Sequence, residues 1–145
     1  MQAEYDSNNI FARILRGELP CFKIYEDADN IAFLDIMPQS DGHALVVPKE
    51  PAVDFFGLSE AGAAAAIRAT QRVARGVREA FQPDGVVITQ FNGAAAGQTV
   101  PHIHFHIVPR YVDQTLRGHA REKQSMDVLR EHADRVIAAL AKLPA

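Results

Sequence analysis

The amino-acid sequence predicts an α+β fold, on three observations. Three short strand-like runs, "FKIYED", "IAFLDI" and "HALVVP", follow one another with only the turn-rich "ADN" and "MPQSDG" between them, a spacing that suits an antiparallel meander. One long stretch follows the helical period at Ala63, Ala66, Ile67, Thr70, Val73, Ala74, Val77, Ala80 and Phe81, all apolar but the threonine. Strands and helices do not alternate as βαβ units, so the sheet reads as antiparallel.

Each element has its own justification. In "IFARIL" the apolar residues Ile10, Phe11, Ile14 and Leu15 have helical spacing, and Arg16-Gly17 ends the run. The three strand-like runs follow. The long helix starts where Ser59 can cap it and stops at Pro83-Asp84-Gly85. A further strand, "VVITQF", leads into the Gly/Ala-rich loop "NGAAAGQT" and then into "VPHIHFHIVPR". Near the end, Met126, Leu129, Ala133, Val136, Ile137 and Leu140 mark a second amphipathic helix, and the charged "RGHAREK" before it reads as exposed loop.

At 145 residues the chain fits one domain that buries roughly 70% of its unfolded surface. No repeat or linker divides it. Hydrophobic residues make up 48% and charged residues 23%, as in soluble globular proteins. A net charge of −3 argues against wrapping nucleic acid, which needs concentrated Lys and Arg. The opening "MQAEYDSNN" lacks the basic flank and apolar segment of a secretory signal. No apolar run approaches the ~18 residues of a membrane span, so no membrane association is expected. The lone cysteine, Cys21, cannot close an internal disulfide and suits a reducing compartment, which makes the cytoplasm the expected location. Beside Pro20 and far in sequence from the histidines, it reads as structural.

Half of the six histidines fall within five residues, as His102, His104 and His106. In a strand these three share one face while Ile103, Phe105 and Ile107 share the other, and the apolar face can bury against the long helix. A single three-histidine metal centre is disfavoured, because His102 and His106 would have Cα atoms roughly 13 Å apart whereas Zn–N bonds are about 2 Å. At most an adjacent pair could bind, helped by His43 or a carboxylate. The alternative is a row of imidazoles facing a phosphorylated substrate. One neutral ring can attack phosphorus to form a covalent intermediate, and neighbouring rings disfavour one another's protonation. A protonated neighbour can stabilise charge on phosphate oxygens. Just upstream, Gly93 and Gly97 permit close approach of backbone N–H groups to an anion, and Gln98 and Thr99 add side-chain donors.

"HIHFHIV", the run from His102 to Val108, preceded by "AGQTV", resembles the histidine triad (HIT) superfamily, whose motif alternates three histidines with apolar residues. "IFARILRGELPCFKIYEDADNIAFLDIMPQSDGHALVVPK" is similar to the family's N-terminal half. The likeness runs over about 9–110 of a single domain, 1–145; about 111–145 is a C-terminal helical extension with no role assigned by the family. "MPQSDGH" resembles the nucleoside phosphoramidase branch, whereas "AGQTV" and "VPR" resemble dinucleoside polyphosphate hydrolases.

The resemblance implies a HIT-like fold: a five-stranded antiparallel sheet with a long central helix, here followed by a C-terminal helix, and paired into a homodimer. It implies hydrolysis or transfer at the α-phosphate of a purine nucleotide derivative without a cofactor, releasing a nucleoside monophosphate. By resemblance His104 is the nucleophile, His106 bonds a phosphate oxygen, and His102 with His43 forms a supporting network. Thr99 and Gln98 would face the leaving group and phosphate, with Asn92, Gly97 and Val100 nearby. Asp35 would take the ribose hydroxyls, as a pure acceptor suits, and Ile10, Phe11, Ile14, Phe33, Ile36 and Leu45 would line the base pocket. Some bacterial relatives carry zinc on a Cys-x-x-Cys and two histidines; Asn9, Ala12 and Pro51 stand at three of those positions, so no structural zinc is expected. A non-catalytic purine-nucleotide-binding regulatory module is the other reading.

Overall fold

The computed structural model describes residues 4–118 and 122–144. In chain order they form α1 (Ile10–Leu15), β1 (Lys23–Glu26), β2 (Asn30–Leu34), β3 (Ala44–Pro48), α2 (Glu60–Phe81), β4 (Gly85–Thr89), β5 (Phe105–Arg110) and α3 (Met126–Lys142). The five strands make one antiparallel sheet in the order β1-β2-β3-β5-β4. The expected meander is its first half. β5 inserts between β3 and β4, so the histidine run lies inside the sheet and β4 is left at the edge.

Local chemistry accounts for the helix ends. Ser59 accepts a hydrogen bond from the Gly62 amide and starts α2, and Gln82 closes it in the left-handed conformation at φ 48°. Asn9 caps α1 by accepting from the Ala12 amide. The last helix starts in the same way, with Ser125 accepting from Val128. These contacts satisfy backbone N–H groups that a helix start leaves without partners.

The sheet's two faces carry different cores. On one, Ala32, Leu34, Ala44, Val46, Phe105 and Ile107 pack with Ala66, Ala69, Val73 and Val77 of α2 and with Leu129, Val136 and Leu140 of α3. On the other, Ile31, Phe33, Leu45 and Val47 pack with Phe11 of α1. Adjacent residues therefore enter opposite cores, as strand alternation requires.

Several expectations need correction. "IAFLDI" ends as a strand at Leu34, so Asp35 and Ile36 belong to the following loop. The regular part of the histidine strand begins at Phe105, leaving His102 and His104 on the segment that leads into it. Ile67 of α2 and Met126 and Ile137 of α3 keep the helical spacing yet are exposed, because the buried stripe of each helix is narrower than its apolar pattern. Of "RGHAREK", residues 119–121 lie outside the described residues. Its first residue, Arg117, is half-buried and pairs with Asp41 at 3.0 Å, since this segment crosses the loop after β2. Among the described residues no helix is long and apolar enough to cross a membrane.

Candidate active site

Strand register assembles the site. Phe33 on β2 faces Leu45 on β3, and Leu45 faces His106 on β5, so a line of side chains crosses three strands on the α1 face. There α1 covers the sheet only in part and leaves a cavity of about 350 Å³. Ile10, Phe11, Ile14, Phe33, Leu45 and Val100 line its apolar part, and His104, His106, Thr99, Asp35 and Ile36 also border it. Ile10 and Ile36 are its most open large hydrophobic lining, at 54% and 41% exposure.

The imidazoles themselves are buried: His102 at 0%, His43 at 1%, His106 at 3% and His104 at 5% exposure. Buried polar groups require hydrogen-bond partners, and here the partners decide where each proton sits. A carbonyl can only accept, so His104 donates from Nδ1 to the His102 carbonyl at 2.7 Å. The lone pair of the neutral His104 ring is therefore on Nε2. In His43 the assignment is reversed, because Nδ1 accepts the Gln39 amide at 3.0 Å. His43 then carries its proton on Nε2, which lies 3.0 Å from His106 Nδ1, and donates it there. The neutral His106 ring must hold its own proton on Nε2. His104 and His106, with ring centroids 4.9 Å apart, are thus fixed in opposite tautomers: one presents a lone pair on Nε2 and the other an N–H.

His102 belongs to a separate network. Its Nε2–H donates to the Pro48 carbonyl at 2.7 Å, and its Nδ1 accepts from the Tyr5 hydroxyl at 2.6 Å. Burial holds its pKa below the ordinary 6.5. In these contacts His43 serves His106, and His102 serves His104 through its backbone.

Other expected residues sit elsewhere. The Gln98 amide donates to the Val53 and Val100 carbonyls while its oxygen accepts from the Gly93 amide. Asn92 bonds Gln90 and accepts from the Phe55 amide. Gly97 stands at φ 107°, ending the short turn Ala94–Ala96. These three shape the loop and do not line the cavity. Conversely, Leu19, Pro20, Cys21 and Met37 line it and were not anticipated. Cys21 in particular shares the cavity with His104, although 83 positions separate them in sequence (104 − 21). Neither Cys21 at the cavity nor Tyr5 on the His102 ring carries a sequence signal that could place it.

Asp35, His43 and His106 bring one ligand atom each within 4.8 Å of one another. His43 Nε2 lies 3.6 Å from Asp35 Oδ2 as well as 3.0 Å from His106 Nδ1, close to the roughly 3.3 Å edge of a tetrahedral zinc site. The hydrogen bonding opposes a metal there. A histidine that ligates through Nε2 donates its other N–H outward, whereas His43 Nδ1 accepts. At two of the positions where the resemblance would put zinc ligands, Asn9 uses its side chain to cap α1 and Ala12 is buried apolar.

A family model described as HIT domain matches residues 16–113. The chain is 43% identical over 101 residues to adenosine 5'-monophosphoramidase of Schizosaccharomyces pombe, covering 70% of this chain and 73% of that one. Among solved structures it is similar to a HIT-like protein involved in cell-cycle regulation from Bartonella henselae, at TM-score 0.87 and 43% identity, covering 94% of this chain and 99% of that one. It is also similar to a zinc-bound histidine triad family protein from Mycobacterium smegmatis, at TM-score 0.81 and 36% identity, covering 93% and 94%.

Proposed function

The chain belongs to the HIT domain family, and from that premise we propose that it hydrolyses a purine nucleotide derivative at the α-phosphate. The substrate class is a nucleoside phosphoramidate or a dinucleoside polyphosphate, and the product is a nucleoside monophosphate. The observation that carries this reading is the pair of opposite tautomers. His104 Nε2 attacks phosphorus, the bond to the leaving group breaks with its electron pair passing to that group, which takes a proton from solvent where it leaves as an amine, and a covalent nucleotidyl-histidine forms. Water then attacks the same phosphorus and gives up a proton to solvent, the P–N bond to His104 breaks, and the ring recovers its lone pair. His106 Nε2–H donates to a non-bridging oxygen, where negative charge grows in the transition state. Asp35 takes the ribose hydroxyls, the apolar cavity takes the base, and Thr99 stands at the leaving-group end. The name of the fission yeast relative supports the phosphoramidate branch.

Comparison of wild type with His104→Asn on an adenosine phosphoramidate and a diadenosine polyphosphate tests the reading. Wild type is expected to form AMP without added Mg²⁺ and the variant to lose at least about 10³-fold in kcat, as expected on removal of a nucleophile. Equal turnover by the variant removes His104 as nucleophile. Tight AMP binding with no turnover by wild type favours the regulatory binding module instead.

We also propose that two copies pair through α2 and β4. Ile67 and Ile88 are about half exposed, they border one shallow surface with Ala74 and Val86, and β4 is an edge strand whose backbone groups invite pairing. Sedimentation as twice the 15.9 kDa chain is the expected result, and Ile88→Asp should shift it to the monomer.

A further inference from the structure

The sheet does not by itself place the whole triad. β3 and β5 pair from Val46↔Phe105 onward, so residues 101–104 precede the ladder. The peptide joining His102 to Ile103 is held by the Ile103 amide, which donates to the Ala52 carbonyl at 2.9 Å. The His102 ring is held by the Pro48 carbonyl on one nitrogen and the Tyr5 hydroxyl on the other. Tyr5 also meets that ring edge to face, with centroids 5.5 Å apart and an interplanar angle of 68°. The arm bearing Tyr5 is itself fixed, since the Asp6 carbonyl accepts from Asn9 and the Ser7 carbonyl accepts from Arg16 at 2.6 Å.

We propose that Tyr5 is a positioning residue for the reaction: its hydroxyl fixes His102, whose carbonyl holds the His104 proton on Nδ1 and leaves the attacking lone pair on Nε2. The inference rests on the reading of His104 as nucleophile, and the geometry on which it stands is the unbroken path Tyr5 Oη to His102 Nδ1 and His102 carbonyl to His104 Nδ1. The direction of the first bond follows from the second nitrogen of the His102 ring. Because Nε2–H donates to Pro48, the neutral ring can only accept at Nδ1, and the phenol must donate. With phenylalanine at position 5 that buried acceptor loses its donor. An unsatisfied buried acceptor is costly, so the ring is driven to turn or to take up water. Either response moves the residue whose carbonyl orients His104.

The test combines imidazole ¹⁵N NMR of the full chain with single-turnover kinetics on an adenosine phosphoramidate, in wild type, Tyr5→Phe and Tyr5→Ala. Wild-type His104 is expected to show one tautomer, with the proton on Nδ1. In Tyr5→Phe the two His104 nitrogen resonances should move toward averaged values. The rate of nucleotidyl transfer to His104 should fall about tenfold, a change of ~1.4 kcal/mol in the barrier, with KM little changed and the melting temperature lowered by only a few degrees. A single His104 tautomer in Tyr5→Phe overturns the proposal, as does a rate loss confined to Tyr5→Ala and matched by a lower melting temperature. If wild type turns over neither substrate, the reading of the reaction fails, while the NMR comparison still decides whether Tyr5 orders the His104 ring.

Discussion

On one face of the sheet, Ala44, Val46, Phe105 and Ile107 are sealed beneath α2. On the other, the intervening residues Leu45 and His106, with His104 just before the strand, meet only a short helix and border a cavity. The same strands thus serve two purposes at alternate positions. Close packing of aliphatic side chains on the α2 face supplies stability. The α1 face buries imidazoles, each costly to desolvate, and recovers that cost only through hydrogen bonds made to specific partners. The lesson is that this sheet separates folding from chemistry by side-chain parity: neighbouring residues in sequence answer to different demands.

The sharpest way to break this comparison is to truncate one residue on each face. Ile107 is fully buried, and Ile107→Ala should cost about 3 kcal/mol of stability by urea unfolding, with KM nearly unchanged in the folded fraction. Leu45→Ala, directly beside His106 in the cavity, should cost less, about 1–2 kcal/mol, and should raise KM for the nucleotide substrate several-fold. Equal stability losses with no effect on KM would show that the two faces are not functionally distinct.

A smaller effect concerns pH. His102 on the α1 face and His132 on α3, edge to face with Phe81 at 5.0 Å, are both held below the ordinary pKa of 6.5, mainly by burial. The folded state thus resists protons that the unfolded chain accepts. Their contribution to stability is complete above about pH 6.5 and is lost as pH falls from there through the lowered native values. The urea midpoint should therefore drop between about pH 7.5 and about pH 5, and His132→Phe should reduce the drop without altering the activity of the cavity face. An unchanged pH dependence in that variant removes His132 from the account.

Much of this was legible beforehand because it depends on local rules. Alternation over Ile103–Ile107 separates apolar from imidazole side chains in any extended backbone, and Ser59 caps α2 through a bond to a residue three positions away. Asp35 and His43 enter one cluster with His106, whereas the family resemblance set Asp35 apart at the ribose and His43 with His102. The misplacements share one cause. Gln98 and Asn92 look like donors for a phosphate because their side chains are polar and adjacent to the triad, yet their bonds run to Val53 and Phe55, 45 and 37 residues away. Cys21 looks remote and lines the cavity.

The sequence by itself determined the order of the elements, the caps that bound the helices, and the parity that puts three histidines on one face and three apolar residues on the other. All of these are consequences of backbone period and nearest-neighbour hydrogen bonding. Only the tertiary structure decided where the protons of His102 and His106 sit, whereas those of His104 and His43 answer to groups two and four positions away. The first two depend on Tyr5 meeting His102 across 97 residues and His43 meeting His106 across 63. A neutral imidazole has two tautomers close in energy, so its choice is left to whichever donor or acceptor the fold brings to it.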